Sequence, residues 1–533
     1  IRDLIVTGVQ TCALPILVLG STATNSVING INVVGAATGI TINDCNPVLT
    51  GITLVAAEAQ RTPTQAIVIN GASAPLISNL NINNFAYGIK ANNPGTTPVN
   101  LNINSLRVNR GTSTPASGDT AFEINGNYIV DISSTVVTDY PFGIKIDSTN
   151  RSRARARLAN TRVIKTESNN RDNSIAFSLA NLSHVEIVRD SLIGFNTGIL
   201  INNPGSPCNI TMQNCSIRRE LSQLGSEVGI KLLGSSSGTI DSTFVYNYNR
   251  AMDFSGNHAL QITNNKFVDC STVLSESQNH SPHSLVRNLA YRSSIFTGAV
   301  QLPIFSIDAG TNFTAKNNTF HAFPSYVSAT NASSLVFNQN IIWSPNPGST
   351  PISLSGGSTL NASYCDIALA QGVQPGTGNL NTNPLFMNPA QGIFALNVYS
   401  PCIDAGNPAN PHDPDGSIAD MGAFTFNWAT APLIADFFVD TSSGQHPLTV
   451  HFTDHSTRNT ISREWDFNAD NITDSTEQNP VWTYTATGTY SVKLRVFDGV
   501  RYDTKLLSNL IQALNTPPQI TRSEERRVGN ECR

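Results

Sequence analysis

The segment Gly88-Ile89-Lys90-Ala91 returns as Ala121-Phe122-Glu123-Ile124 and again as Gly143-Ile144-Lys145-Ile146. Each copy is a small residue followed by apolar, polar and apolar positions. Working outward, the same pattern stands at Gly39-Ile40-Thr41-Ile42, Ala66-Ile67-Val68-Ile69, Gly198-Ile199-Leu200-Ile201, Gly229-Ile230-Lys231-Leu232 and Ala251-Met252-Asp253-Phe254. Looser copies centre on Phe177, Val273, Phe305, Val327 and Ile352. From Ile67 onward the spacing alternates between 22 and about 32 residues for most of the array, as expected of a repeat architecture.

A second alternating signature lies between these marks, as in Leu80-Asn81-Ile82-Asn83, Val185-Glu186-Ile187-Val188 and Leu260-Gln261-Ile262-Thr263. Period two gives each strand one apolar and one polar face. Strands this short are not stable alone. Stacked coil on coil they bury one apolar column and pair each inner backbone group. Asn-rich turns such as Asn83-Asn84, Asn202-Asn203 and Asn264-Asn265 suit left-handed backbone angles. The pattern predicts an all-β fold built on a right-handed parallel β-helix, with steps of about 4.8 Å per coil. A β-sandwich array would instead need turns every 8–12 residues or so. Every second coil carries extra residues, within 92–118, 147–173 and 202–227, and these are expected to line one side of the rod.

Composition agrees. The chain has 533 residues, 32 Lys plus Arg against 37 Asp plus Glu, and a net charge of −5. Charged residues are 13%, about half the usual share of roughly 25%, which disfavours long surface helices. The balance excludes a nucleic-acid binder driven by global positive charge. No membrane-spanning segment is expected. Eight cysteines are too few for a disulfide scaffold.

The repeat breaks at Asn383-Pro384-Leu385-Phe386, followed by Ser400-Pro401-Cys402-Ile403-Asp404-Ala405-Gly406, Asp413-Pro414-Asp415-Gly416 and Ala419-Asp420-Met421-Gly422-Ala423-Phe424. This string resembles the C-terminal signature of secreted bacterial parallel β-helix proteins, often linked to the pectate-lyase-like fold. The resemblance covers 20–426 as architecture and 383–426 as motif. It implies an extracellular location, and a capping role for 383–426. A linker at 427–433 leads to a second all-β segment at 434–515, with turns about every ten residues, as in an immunoglobulin-like sandwich. Its run Trp465-Asp466-Phe467, Gln478-Asn479-Pro480, Tyr484 and Gly488-Thr489-Tyr490-Ser491-Val492 resembles a PKD domain, although Asn468-Ala469-Asp470 replaces that family's usual Gly-Asp-Gly. The ends, 1–16 and 522–533, resemble translated sequencing-adapter read-through, or at the start a signal-like segment. Residues 516–533 are read as a linker and artefactual tail.

Candidate chemistry follows from spacing. Asp466, Asn468, Asp470 and Asp474 place oxygens at alternating positions of one loop, which suits calcium. Asp413, Asp415 and Asp420, with Gly416 for a sharp turn, form a second calcium candidate; a metal-free turn or cap is the alternative for each. Arg151, Arg153, Arg155 and Arg157 alternate within a long turn and make a cationic stripe for an anionic polysaccharide, or a solvated edge that blocks strand pairing. Lys90, Glu123 and Lys145 form a structural charge ladder, as do Lys231 and Asp253. His280 and His283 are read as a polar turn, Cys208 and Cys215 as buried thiols, and Cys365 with Cys402 as a candidate pair. No cluster of the kind used by lyases or glycosidases is local in the sequence.

The expected function is a secreted or cell-surface protein binding polysaccharide or extracellular matrix through the side of the β-helix, with the PKD segment as spacer or adhesion module and calcium as the candidate cofactor. The alternative is a polysaccharide-degrading enzyme, a uronate-polymer lyase or glycoside hydrolase.

Overall fold

The computed structural model describes residues 5–7, 15–23, 25–56, 64–111, 116–149, 153–166, 173–220, 226–278, 282–294, 296, 302–308, 310–348, 351–457 and 460–515. Arg151 and His280 lie outside them. The described residues contain no α-helix. The chain divides into two units at 425/426.

The first unit is a parallel β-solenoid. Each coil carries a first-face strand, a second-face strand and a short third-face strand, as in Thr120–Gly126, Tyr128–Ser133 and Val136–Thr138. On the first face one inward file runs Ile40, Ile67, Ile89, Phe122, Ile144, Phe177, Ile199, Ile230, Met252, Leu274, Phe305, Val327 and Ile352. All of these but Ile352 are buried, in one continuous apolar core. The sequence reading placed Val273 in this file; Leu274 holds the place. Val273 instead fills the preceding small-residue position, and its bulk shifted the reading by one.

The need for a small residue there is steric. A Cβ built on Gly88 would lie 2.6 Å from the carbonyl oxygen of Ala121 on the next coil and 2.7 Å from Cγ1 of Val108. Second and third faces are joined by two-residue turns. The first turn residue is left-handed, as at Asn264, Arg287, Asn317 and Gln339, with φ of 54°, 57°, 53° and 54°. The second is buried and polar, and these residues bond along the stack. Asn265 Nδ2 donates to Asn288 Oδ1 at 3.0 Å, Asn288 Nδ2 to Asn318 Oδ1 at 2.9 Å, and Asn318 Nδ2 to Asn340 Oδ1 at 2.8 Å. Cys215 and Cys365 occupy this same turn position, which is why both are buried free thiols. Cys208 is a buried free thiol as well. Cys402 is also a free thiol, with Sγ 3.3 Å from Oδ2 of Asp366, so it is not bonded to Cys365.

The longer connections run from the third face to the next first face, spanning 110–119, 165–174 and 219–227, and so share one corner of the solenoid. Two of them are closed by an ion pair between first and last residues: Arg110 to Asp119 at 2.6 Å, and the fully buried Arg219 to Glu227 at 3.3 Å. Part of the segment set aside at the start joins the stack. Ile5–Thr7 pairs with Asn32–Val34, and Pro15–Leu19 pairs with Thr38–Asn43.

At the other end, the terminal third-face strand Asp366–Ile367 is met by the chain that follows it. Ile367 N–H donates to Leu380 O at 3.0 Å, and Leu380 N–H to Cys365 O at 2.7 Å. Segment 383–426, expected over the end, makes contacts along the side. The Phe394 ring packs 4.8 Å from Tyr291 and 5.1 Å from His321, and Gly422 N–H donates to Gln339 O at 2.8 Å.

The second unit is a sandwich. One sheet joins Phe437–Val439, Leu448–Asp454 and Val481–Tyr484; the other joins Ser443–Gln445, Tyr502–Leu514, Gly488–Phe497 and Ser462–Asp466. Its core is Phe437, Phe452, Trp465, Phe467, Tyr484, Val492, Leu494, Val496 and Ile511, among others.

Candidate functional site

The arginine stripe lies on the second face. Arg155–Ala159 is a strand, not a turn, and its alternation turns Arg153, Arg155 and Arg157 outward while Ala154, Ala156 and Leu158 are buried. Arg157 stands between Asp131 on the preceding coil and Glu186 on the following one, 3.3 Å from each. Both neighbours carry charge opposite to the guanidinium, so Arg157 is part of a ladder. Arg153 and Arg155 are exposed.

Lys90, Glu123 and Lys145 form the expected ladder on the first face, with Nζ to carboxylate distances of 3.0 and 3.5 Å. Burial pushes the Glu123 carboxyl up, but the Lys90 hydrogen bond and the charges of both lysines outweigh it and hold it below the usual range. Lys231 and Asp253 are register neighbours, and Arg250 sets a guanidinium nitrogen 3.8 Å from Asp253 Oδ2.

The two acidic loops spend their oxygens within the protein. Asp466 accepts Asp470 N–H at 3.1 Å and Asn471 N–H at 2.8 Å, and Lys493 Nζ lies 2.9 Å from its Oδ2. Asp474 accepts Phe467 N–H, and Asp470 accepts Ile472 N–H and the Asn468 amide. Burial raises the Asp466 carboxyl, yet the Lys493 and backbone hydrogen bonds leave it lowered. Lys493 stands directly opposite Asp466 across the sheet and sets a positive charge beside it. Asp420 accepts Asp404 N–H at 2.7 Å, Asp413 accepts Asp420 N–H at 3.0 Å, and Asp415 accepts Ser417 N–H and Oγ–H. Among the described residues no three His, Cys, Asp or Glu are arranged to hold a metal ion.

His283 is buried rather than part of a polar turn. It begins the strand His283–Val286, packs its ring at a tilt 5.1 Å from that of Phe313 and sets Nε2 3.1 Å from Glu276 Oε1. Alternation with Leu285 turns it inward. His258, likewise buried, shares a 2.7 Å hydrogen bond with Ser236 Oγ one coil away, and burial lowers its pKa to about 4. The His258–Ser236 pair bridges two coils, 22 residues apart in sequence, whereas His283 and Glu276 lie on consecutive strands of one coil.

A surface cleft that sequence reading missed lies where the second face turns into the third. Arg287 and Lys316, from neighbouring coils, form one lip, and Asn410, His412 and Asp413 form the other. The cavity is about 370 Å³. Its floor is tied by amides. Asn317 Nδ2 and Gln339 Nε2 both donate to Asp420 O, at 3.3 and 3.4 Å, and Asn410 donates to Gln339 Oε1. His412 Nδ1 bonds Gly416 O at 2.7 Å. Burial, with the Asp415 and Asp404 charges adding, pushes the Asp413 carboxyl up.

Comparison with known proteins concerns the second unit. A family model described as PKD domain matches residues 430–506. A solved structure of the PKD1 domain from the Vibrio cholerae metalloprotease PrtV is 33% identical over 16% of this chain and 98% of its own, with a TM-score of 0.13. No curated protein matches the chain. The C-terminal module is a PKD domain with an immunoglobulin-like sandwich, joined to a parallel β-solenoid. No helix among the described residues is long and apolar enough to cross a membrane.

Proposed function

We propose that this chain is an extracellular or outer-cell-surface protein that binds polysaccharide or matrix glycan through the side of its solenoid, with the PKD domain as spacer or adhesion module. One observation carries the reading. On the second face an outward file of hydroxyl and amide groups runs Thr211, Thr239, Gln261, Ser284 and Thr314 over consecutive coils. Such a file repeats donors and acceptors every 4.8 Å or so along the rod. A glycan presents hydroxyls in a similar linear series, and hydrogen bonds along a pre-formed wall need little ordering of the protein. The PKD domain supports the location, since such modules are typical of extracellular proteins.

The test is affinity electrophoresis of the full chain in gels containing neutral, uronate-rich or sulfated polysaccharide. Retardation by at least one is expected; unchanged mobility in all three contradicts the proposal. The enzyme alternative is read in the same samples with uronate polymers, as ultraviolet absorbance from unsaturated ends. Binding without cleavage predicts no rise.

A further inference from the structure

We infer that the cleft between Arg287, Lys316 and residues 410–413 holds the anionic group of an acidic saccharide. This rests on the glycan-binding reading and gives it a place and a charge.

The solenoid neutralises many of its cations within the stack. Lys90 and Lys145 share Glu123, Arg157 lies between Asp131 and Glu186, and Arg110 and Arg219 close their own loops. Arg287 and Lys316 differ. Neither makes an ion pair or a side-chain hydrogen bond among the described residues, yet both line one concavity. The register pairs Val286 with Lys316, so the two cations stand on adjacent coils, one residue out of step. Asn410 of the second lip is 71 positions away in sequence from Gln339, to which it donates.

The walls are set before any ligand arrives. Asn317 and Gln339 both donate to Asp420 O, and Gly422 N–H donates to Gln339 O. A pre-formed site loses little entropy on binding. Its volume, about 370 Å³, lies within the roughly 300–1,000 Å³ of small-molecule sites. Charge chooses the ligand. Two cations face one carboxylate, Asp413, so an anion gains on entry. The Arg287 guanidinium offers a planar fork that suits a carboxylate or a sulfate ester, and Lys316 adds a point charge. Asp413 and His412, on the opposite lip, suit the hydroxyls of the ring that bears the anion. Arg287 and Lys316 adjoin Ser284 and Thr314 of the outward polar file, so a chain lying on that file reaches the cleft.

The experiment is calorimetric titration of the full chain with galacturonate oligomers, dextran sulfate and unmodified dextran. Wild type is compared with the double variant Arg287→Gln/Lys316→Gln and with Arg153→Gln/Arg155→Gln. We expect the acidic ligands to bind and dextran not to bind. The cleft variant should bind at least about tenfold more weakly, the stripe variant as wild type, and added salt should weaken the wild-type complex. Galacturonate and sulfate arms identify which anion is preferred. Ala423→Trp, which fills the cleft while keeping both cations, should lose binding as well and covers a double variant that melts early. Equal affinity in the cleft variants and wild type overturns the site but leaves glycan binding standing. Equal affinity for dextran overturns the charge assignment alone. No binding to any of the three overturns both.

Discussion

Asn288 donates through Nδ2 to Oδ1 of Asn318, one coil further along, at 2.9 Å, and Asn318 Oδ1 also accepts the Asn288 backbone N–H at 2.8 Å. One buried amide thus answers two donors and itself donates through Nδ2 to Asn340 Oδ1 at 2.8 Å. Asn318→Ala should leave the Asn288 backbone N–H unanswered and take from its Nδ2 one acceptor, with Ile262 O remaining, at a cost on the order of 1–3 kcal/mol. Urea unfolding followed by circular dichroism checks this; a loss under about 0.5 kcal/mol would mean the file is not a structural spine.

Asp190 occupies the same turn position earlier in the stack, accepting Thr161 N–H. Burial raises its pKa to about 7 from 3.8. The native state therefore holds a proton that the unfolded chain has released between pH 4 and 7 or so, and stability falls as pH rises through that window. An amide serves this position at Asn265, Asn288 and Asn318, so Asp190→Asn should be the more stable protein at pH 8, by up to about 4 kcal/mol, and differ little at pH 4. Melting curves at the two pH values decide; an Asn variant that melts lower at pH 8 contradicts the shift. His258 and His321, lowered by burial to about 4, act in the opposite sense, losing stability as pH falls from 6.5 or so toward 4.

Gly88→Ala tests coil spacing. The added Cβ would stand 2.6 Å from Ala121 O and 2.7 Å from a Val108 methyl, contacts that cannot both relax without shifting backbone. A loss of about 1–3 kcal/mol is expected, against near neutrality if the coils were loosely stacked.

In the PKD domain, Lys493→Met removes the cation beside the nearly buried Asp466 carboxylate. A fall in the domain's melting temperature is expected, with no shift of the wild-type midpoint between calcium and chelator. A calcium-dependent midpoint would return the loop to metal binding.

The solenoid was legible because its determinants are short-range and repeated. Small-apolar-polar-apolar strings gave both strand and register, and only Val273 slipped, where a large residue fills the small position. The second unit was legible as a sandwich because its strands alternate cleanly, and as a PKD domain through the resemblance of its run from Trp465 to Val492 to that family. The site was not legible, because its electrostatics are set across coils. Arg157 looked available until Asp131 and Glu186, 26 and 29 residues away, were placed beside it. Asp466 reads as part of an acidic loop, and nothing local announces Lys493, 27 residues on, which faces it across the sheet. The cleft joins Arg287 to His412, and no local spacing announces that meeting.

A glycan that lies along the second face and enters the cleft at its edge should shield the backbone there from exchange. Hydrogen exchange read by mass spectrometry, on the full chain with and without galacturonate polymer, tests it most directly. Slowed exchange is expected in peptides covering 284–289, 312–318 and 409–423, and none across 462–498. Protection confined to the PKD domain, or protection nowhere, would contradict it.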